Sequence, residues 1–380
     1  MGNSKKITCS TEDDPGGSSE QEILTEESWR KAYRNSVKNI EALSRYIAFA
    51  PKEKVFLKQV GKLYHMRIPQ YYFSLIEKIS DPFDPIRRQC IPSLNEVCDQ
   101  SYENIDPLGE EKTSPLSCLV HRYPDRVLLL VTGCCFMYCR HCTRKRLWKN
   151  KTPEPGINEI EKALAYIRGN LGIREVIVSG GDPLTLPTER LDYILSALQK
   201  MHHVEVIRIG TRAPVVLPER VNEHLCDSLK RHSKIWINVQ FNHPREITAE
   251  SAEACRKIQQ CGIPMNNQSV LLKGINDDAK VMTELCHKLQ SIRVRPYYLF
   301  QCDPVVGAHH FRTSVFKGVE IIEKMRGHTS GMCVPVFVVD GVDGKGKIPL
   351  NPEYVISVSS KGLTMRNYKH ETFFYHNPTD

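Results

Sequence analysis

The sequence predicts an α/β protein built around a partial (β/α)6 barrel, with an N-terminal helical layer and a C-terminal extension that contains β-strands. Two patterns carry this prediction. Short apolar segments alternate with amphipathic segments through the middle of the chain, as in parallel β/α units. Before them, apolar residues recur at helical intervals. The chain has 380 residues and 41% hydrophobic content, which is enough for a sizeable buried core.

The N-terminal region is predicted to be helical after a loose tail. Residues 1–20 are rich in Ser, Asp and Gly and carry too little apolar surface to order themselves. The helical period then holds from about Glu22 to Ile79. Residues 80–126 are rich in Pro, Asp and Arg without a sustained period, so we expect a connector. Together, residues 21–126 form one predicted helical region with its connector.

Six apolar strands define the predicted barrel, which spans residues 127–312. Segments with helical periodicity link them, so the sheet should be parallel and covered by helices. In such barrels the chemistry lies at the carboxyl ends of the strands. The predicted strands are Val127–Val131, Glu175–Ser179, Val204–Ile209, Ile235–Val239, Met265–Leu272 and Val294–Phe300.

The C-terminal extension, residues 313–380, begins with a predicted helix from about Ser314 to Arg326. Short apolar segments separated by turn residues follow this helix, which is typical of strands. The predicted strands are Pro335–Val339, Tyr354–Val358, Leu363–Asn367 and Thr372–Tyr375.

Composition narrows the range of partners. The formal net charge is +8, but basic and acidic residues alternate along the chain, so no nucleic-acid partner is expected. The most apolar run, Val127 to Cys139, is too short to span a bilayer, so no membrane partner is expected. Fourteen scattered cysteines without a secretory signal indicate reduced thiols and a cytoplasmic protein.

Three cysteines follow the first barrel strand with a three-then-two spacing. The thiolates of Cys135, Cys139 and Cys142 can hold three irons of a four-iron cluster and leave the fourth iron open. A structural zinc site is the alternative. His141 would then complete it, since Cys134 and the adjacent Cys135 cannot easily share one tetrahedral ion. We interpret Cys134 as a packed thiol.

The spacing Cys-x-x-x-Cys-x-x-Cys is the radical S-adenosylmethionine signature, and Met137 to Arg144 resembles the lysine 2,3-aminomutase family. The resemblance runs from about Glu22 to His376. It implies a four-iron, four-sulfur cluster on the three cysteines, S-adenosylmethionine as radical source and pyridoxal phosphate as carrier of the migrating amine. It also implies an electron donor such as flavodoxin or ferredoxin, and it allows a homo-oligomer.

Gly180, Gly181 and Asp182 follow the second barrel strand. Paired glycines let the backbone approach a ligand closely, although Gly-Gly-Asp-Pro is also an ordinary turn signal. The resemblance assigns this segment, and Gln268 at the fifth strand, to S-adenosylmethionine. Gln240 departs from the family, which usually has His there. Gln keeps the hydrogen-bonding capacity but cannot titrate.

Pyridoxal phosphate requires a lysine and cationic groups for its phosphate. Lys347 ends a glycine loop and matches the family's cofactor lysine, with Lys345 as a local competitor. Arg122 and Arg126 lie four residues apart before the first barrel strand and resemble the family's phosphate-binding arginines. Phe300 stands where the family often has Tyr, a change expected to alter packing or a hydrogen bond more than the reaction class.

Three further residues indicate the substrate. Arg144 resembles the family's arginine for the α-carboxylate, and Asp303 and Asp340 match the two aspartates that neutralise the distal ammonium of lysine. An uncompensated carboxylate in a closed pocket is costly, so such a pair favours a cationic side chain and disfavours glutamate.

The sequence therefore predicts an isomerase that moves the 2-amino group of the small molecule L-lysine to carbon 3, giving β-lysine. Two alternatives stay open: the same migration on arginine or another cationic amino acid, and a cluster-binding relative without turnover. Longer family members hold zinc between subunits through C-terminal cysteines. Because no cysteine follows Cys333, and Asp278 stands where a further zinc ligand would be expected, that zinc is predicted to be absent.

Overall fold

Seven consecutive parallel strands form the body of a nine-stranded sheet in the computed structural model, which describes residues 28–98, 100–149 and 154–378. An antiparallel strand pairs with each edge of this parallel group. The strands are β1 (Leu119–Tyr123), β2 (Arg126–Thr132), β3 (Glu175–Gly180), β4 (Val206–Gly210), β5 (Ile235–Val239), β6 (Met265–Leu271), β7 (Arg295–Gln301), β8 (Val336–Gly341) and β9 (Gly346–Pro349). The predicted loose tail lies outside the described residues.

The six predicted barrel strands are confirmed as β2 to β7, in chain order across the sheet. The sheet is longer than predicted, because β8 continues it as a seventh parallel strand. Phe337 of β8 pairs with Leu299 of β7 and is fully buried. A Cβ on Gly318 would collide with the Phe337 ring, so this glycine lets the helix that carries it lie close to β8.

Helices cover the outer face of the sheet. They pack on the sheet because their apolar residues fall on one side. In the helix Ile157–Gly169, between β2 and β3, these buried residues include Ile160, Leu164 and Ile167. The helices are α1 (residues 28–34), α2 (Ile40–Leu43), α3 (Pro51–Leu63), α4 (Gln70–Ser74), α5 (Pro85–Cys90), α6 (Lys145–Lys149), α7 (Ile157–Gly169), α8 (Thr188–Gln199), α9 (Ala213–Val216), α10 (Glu223–Lys230), α11 (Ala249–Gln260), α12 (Ala279–Ser291) and α13 (Val315–Met325).

Side-chain caps fix where the outer helices begin. Asn222 and Thr248 accept hydrogen bonds from backbone amides at the starts of α10 and α11. Asp278 caps α12 in the same way, accepting from the amides of Lys280 and Val281. Asp278 therefore has a structural role at the start of this helix.

The predicted N-terminal helical layer is confirmed, and it packs on the cysteine segment. Trp29 and Tyr33 of α1 meet the ring of Phe136 edge-on, at centroid distances of 6.0 and 5.7 Å. Phe136 itself is fully buried. This contact joins the helical layer to the loop that follows β2.

The C-terminal extension ends in a separate antiparallel sheet of three strands: β10 (Val355–Ser359), β11 (Gly362–Arg366) and β12 (Thr372–His376). These strands were predicted from the sequence. The domain boundaries inferred above stay predictions. Across the described ranges, no helix combines the length and apolar character that crossing a membrane requires.

Candidate active site

A cavity of about 320 Å³ opens at the carboxyl ends of the parallel strands. This is where a β/α barrel is expected to hold its reactive groups. All predicted site residues except Arg122 and Arg126 line it. They are Cys135, Cys139, Cys142, Arg144, Gly180, Gly181, Asp182, Gln268, Asp303, Asp340 and Lys347.

The three cysteines lie together on the loop after β2. Burial, reinforced by the neighbouring Cys142 and by Asp182, raises the pKa of Cys135 well above its ordinary value. Burial and the adjacent Cys139 raise the pKa of Cys142 to about 11. The Cys135 and Cys142 thiols therefore hold their protons at neutral pH until a metal displaces them.

Two glycines bring the end of β3 against this loop. Gly180 has a φ of 131°, and a Cβ there would collide with the carbonyl oxygen of Thr132. A Cβ on Gly181 would collide with the carbonyl oxygen of Cys134. The Gly181 amide donates to Thr132, and the Asp182 amide donates to Cys134, each at 2.7 Å. The paired glycines thus seat the cysteine loop on the sheet.

The Asp182 carboxylate is engaged by the protein. It accepts from the Leu184 amide at 3.0 Å, from the Thr211 hydroxyl at 2.7 Å and from the Arg212 amide at 2.7 Å. Burial raises its pKa against the effect of these donors. Asp182 consequently ties the loop after β3 to the loop after β4, at the floor of the cavity.

Arg212, which the sequence analysis did not single out, touches one of the cysteines. Its Nη1 donates to Sγ of Cys139 at 2.8 Å, and its Nη2 donates to Glu246 at 2.6 Å and to Gln89 at 2.8 Å. Burial alone would lower its pKa, but the charges of Cys139 and Glu246 raise it. Arg212 follows β4 directly, so its place at a strand end was the available signal.

The opposite side of the cavity is acidic. Asp303 follows β7 and accepts from the Thr143 hydroxyl at 2.7 Å. Burial, and then the nearby charge of Asp340, raise the pKa of Asp303 to about 6. Asp340, on β8, accepts a hydrogen bond from the Lys347 amine at 3.1 Å, and its carboxylate lies 3.6 Å from the Arg122 guanidinium. Two carboxylates and one primary amine therefore share this end of the cavity.

Lys347 lies between the aspartates and the first β-hairpin. Its amine sits 5.2 Å from the centre of the Phe300 ring, and its backbone amide donates to the Tyr123 hydroxyl at 3.1 Å. The face of the Phe300 ring thus packs against the Lys347 amine. Lys345, the competitor suggested by the sequence, does not line the cavity.

Arg122 and Arg126 flank Tyr123 at the turn between β1 and β2. Their guanidinium carbons lie 5.0 and 3.8 Å from the centre of the Tyr123 ring. Arg126 also pairs with Asp125 at 2.7 Å. Arg122 lies beside the cavity, 3.6 Å from Asp340. The antiparallel strand β1 that positions it was not predicted.

Arg144 reaches the cavity with a carboxylate behind it. Its Nε and Nη2 donate to both oxygens of Glu110 at 2.7 to 3.0 Å, while Nη1 donates to no described residue. Glu110 also accepts from Arg146 at 2.8 Å. Glu110, another residue that was not predicted from the sequence, fixes the orientation of the Arg144 guanidinium.

Gln240 and Gln268 occupy the middle of the cavity wall. The Gln240 side-chain nitrogen lies 3.2 Å from Nε2 of His141, within hydrogen-bonding distance. Gln240 therefore makes a polar contact with the cysteine loop.

The donor set fits the groups that the sequence predicts. No three His, Cys, Asp or Glu side chains in the described part of the chain are spaced to hold a single metal ion. In a four-iron cluster each iron that binds a cysteine takes its own thiolate, so the ligands stand farther apart than around one ion. Lys347 with Arg122 and Arg126 offers an amine and two guanidinium groups for a phosphorylated aldehyde.

Comparison with known proteins agrees with the geometry. A family model described as radical SAM superfamily matches residues 129–286, and one described as lysine-2,3-aminomutase matches residues 322–380. The L-lysine 2,3-aminomutase of Clostridium subterminale is 48% identical over 350 residues, covering 92% of this chain and 84% of that protein.

Two other relatives match the chain over a similar length. The L-lysine 2,3-aminomutase of Methanococcus maripaludis is 49% identical over 348 residues, covering 91% of this chain and 80% of that protein. The glutamate 2,3-aminomutase of Clostridioides difficile is 43% identical over 348 residues, covering 91% and 82%. Among solved structures, Streptococcus suis SuiB bound to S-adenosylmethionine is 13% identical, with a TM-score of 0.44 over 58% of this chain and 51% of that one. The chain belongs to the lysine 2,3-aminomutase family of radical S-adenosylmethionine enzymes.

Proposed function

We propose that this chain is an L-lysine 2,3-aminomutase, which moves the 2-amino group of L-lysine to carbon 3 to give β-lysine. The observation that carries the proposal is the acidic end of the cavity. Asp303 and Asp340 are close enough for the charge of one to raise the pKa of the other. A second positive charge between them would relieve this repulsion.

Lys347 shows how an ammonium fits this place. Its amine lies 3.1 and 3.4 Å from the two oxygens of Asp340. A lysine committed to a carbonyl cofactor no longer serves as a free ammonium for Asp340, so a substrate ammonium can take its place. The side chain of L-lysine carries such a group at its end.

The remaining residues are proposed to hold the reactants in register. Cys135, Cys139 and Cys142 would bind the cluster, which with S-adenosylmethionine supplies the radical chemistry. Gly180, Gly181, Asp182 and Gln268 would shape the cofactor's seat beside it. Lys347, Arg122 and Arg126 would hold pyridoxal phosphate, which carries the migrating nitrogen.

Arg144 would grip the substrate carboxylate through Nη1, because Glu110 already occupies its other two nitrogens. Asp303 and Asp340 would hold the distal ammonium. These two contacts fix both ends of an extended diamino acid, so its 2- and 3-carbons lie at a defined place in the cavity.

The proposal includes an electron donor and a cellular compartment. An electron donor such as flavodoxin or ferredoxin reduces the cluster. The enzyme works in the cytoplasm, a reducing compartment, which agrees with the thirteen described cysteines all being free. Homo-oligomers are proposed from the family resemblance. An acidic amino acid, the substrate in the name of the Clostridioides difficile relative, would place a third carboxylate beside Asp303 and Asp340.

Anaerobic reconstitution with iron, sulfide, S-adenosylmethionine and pyridoxal phosphate tests the proposal. Separate incubations with lysine, arginine and glutamate are analysed by mass spectrometry after chromatography. Rearranged lysine as the main product supports it. Rearranged arginine would assign the acidic pair to another cation, and rearranged glutamate would overturn the role of both aspartates. Formation of 5′-deoxyadenosine without any rearranged product would support a relative without turnover.

A further inference from the structure

Helix α3 presents an exposed face that is both basic and apolar. Val55, Phe56 and Leu63 are 57%, 51% and 39% exposed, a high degree for large apolar side chains. The helix carries four lysines and one glutamate: Lys52, Glu53, Lys54, Lys58 and Lys62. Lys52, Lys58 and Lys62 are exposed. We call this surface, made of Lys52, Val55, Phe56, Lys58, Lys62 and Leu63, the α3 face.

The buried side of the same helix rests on the predicted cluster site. Val60 is fully buried and forms a small apolar group with Tyr64, against which Cys142 packs. The amine of Lys145, three residues beyond Cys142, lies 4.3 Å from the centre of the Tyr64 ring. One helix thus separates solvent from a cysteine of the predicted cluster.

The end of α3 is also bonded to the cysteine loop. Arg140, which stands between Cys139 and Cys142, donates from Nη1 to the carbonyl oxygen of His65 at 2.7 Å. The ring of Tyr138 lies 5.9 Å from that of His65. A molecule seated on the α3 face would therefore be separated by this helix from the segment that carries the three thiols.

We propose that the α3 face is the docking surface for an acidic one-electron carrier protein that reduces the cluster. This inference rests on the proposed function, which requires one electron for each activation. The carrier is oxidised by one electron and the cluster is reduced by one electron, with no atom transferred. The lysines would attract the acidic surface and hasten the encounter, while Val55, Phe56 and Leu63 would form the dry centre of the contact.

The charge on this face favours an acidic partner. Four lysines against Glu53 leave the helix with a surplus of three positive charges, of which the ion pair between Lys58 and Glu41, at 2.7 Å, offsets one. A membrane surface could also attract basic residues, but a membrane-bound helix inserts its whole apolar side. In α3 that side, with Leu57 and Val60, is buried in the protein core. Three exposed apolar residues suit a small, transient protein contact better.

Charge reversal tests the inference. A triple variant with Lys52→Glu, Lys58→Glu and Lys62→Glu is reconstituted with the cluster, and cluster reduction is followed by loss of visible absorbance in a stopped-flow instrument. With reduced flavodoxin as electron donor at low salt, we expect the second-order rate constant to fall by about tenfold or more. The rate for the unmodified protein should fall steeply as salt is raised, and that for the variant should not.

Two controls separate docking from other effects. Photoreduced 5-deazariboflavin, an uncharged donor, should reduce the cluster of both proteins at equal rates. A matched variant with Lys200→Glu, Lys230→Glu and Lys280→Glu changes three exposed lysines on or directly after the outer barrel helices, and it should keep the unmodified rate with flavodoxin.

Equal flavodoxin rates for the α3 variant and the unmodified protein overturn the inference, and so does an equal loss in the matched control. Cosedimentation with vesicles of phosphatidylserine and phosphatidylcholine that depends on Lys52, Lys58 and Lys62, with unchanged flavodoxin rates, would assign the face to a membrane instead. If neither donor reduces a reconstituted cluster, the proposed function itself fails, which is a distinct result.

Discussion

The amine of Lys347 lies 3.1 Å from Oδ1 of Asp340, so the predicted cofactor lysine and one predicted substrate aspartate form an ion pair. Asp340 side-chain atoms are only 6% exposed, and Arg122 approaches the same carboxylate at 3.6 Å. Asp340 is therefore compensated within the protein, whereas Asp303 has only the Thr143 hydroxyl as a hydrogen-bond donor among the described residues. The two aspartates are not equivalent.

This difference makes Asp303→Asn the sharper test of substrate binding. The variant should lower kcat/KM for lysine by about a hundredfold, corresponding to roughly 3 kcal/mol for a lost partner of a buried charge. Iron content and pyridoxal phosphate absorbance should stay unchanged, because the Asp303 carboxylate is hydrogen-bonded to Thr143 and not to the predicted cluster cysteines or to Lys347. Asp343→Asn, at an exposed position beside Lys112, is the matched control. An unchanged kcat/KM in Asp303→Asn would remove Asp303 from the substrate site.

Asp303 should also give lysine binding a pH dependence. Burial and Asp340 raise its pKa to about 6, so the carboxylate is charged above that pH and takes a proton as the pH falls through it. The KM for lysine should therefore rise below about pH 6. The ratio of KM in Asp303→Asn to KM in the unmodified protein should shrink over the same range. A ratio that stays constant from pH 5 to 8 would contradict this account.

Arg212 is expected to tune the cluster, because its Nη1 donates to Cys139 at 2.8 Å. A positive donor stabilises the more negative, reduced state, so Arg212→Gln should make the midpoint potential more negative. A charged hydrogen bond of about 1.5 to 3 kcal/mol corresponds to roughly 60 to 130 mV for one electron. Potentiometric titration monitored by electron paramagnetic resonance measures the shift. Arg212→Lys, which keeps the charge, should shift it less; equal shifts would point to structural damage alone.

Gly181→Ala should impair cluster loading. A methyl group there collides with the carbonyl oxygen of Cys134, a backbone atom that cannot move without displacing the cysteine loop. We expect less iron and sulfide bound per chain after reconstitution. Gly169→Ala is the control, since its Cβ meets nothing within 4 Å. Full iron content in both variants would show that the loop tolerates displacement.

A buried ion triad should make stability depend on acid pH. Glu96 is fully buried and pairs with Arg140 at 2.6 Å and Lys145 at 2.8 Å. Burial opposes its ionisation, but the two cations prevail and lower its pKa to about 2. Its stabilising effect is present above the unfolded pKa of about 4.5 and is lost as the pH falls toward 2.

Glu96→Gln should therefore lower the free energy of unfolding by roughly 3 to 5 kcal/mol at pH 7, because two buried cations lose their partner. Urea unfolding followed by circular dichroism measures it. The gap between variant and unmodified protein should narrow between about pH 4.5 and 2, by linkage. Glu205→Gln, which removes an exposed ion pair with Arg174, should change stability very little.

Local patterns were sufficient to predict most of the fold. Most strands from β2 to β7 are short apolar runs, and the helices between them have an apolar side. The predictions that failed concern long-range pairing. The sequence of β8 is that of an ordinary short strand, and only its pairing with β7 places it in the main sheet. Strand β1 was missed because Pro124 and neighbouring polar residues disguise the hairpin between Tyr123 and Arg126.

The site residues also differ in how well the sequence predicts them. The cysteines, the paired glycines and Lys347 stand in recognisable motifs, and all of them line the cavity. Their partners are distant in the sequence, since Glu110 lies 34 positions before Arg144 and Arg212 lies 73 positions after Cys139, and of the two only Arg212 has a local signal, its place at a strand end. Such contacts are fixed by the folding of the whole sheet.

The most direct test follows the nitrogen itself. L-lysine labelled with ¹⁵N at the 2-amino group and ¹³C at carbon 3 is incubated anaerobically with the reconstituted enzyme, S-adenosylmethionine and a reductant, and the product is observed by nuclear magnetic resonance. The account predicts a new one-bond ¹⁵N–¹³C coupling at carbon 3, which is absent when S-adenosylmethionine is omitted. Cleavage of S-adenosylmethionine to 5′-deoxyadenosine with no nitrogen arriving at carbon 3 would contradict it.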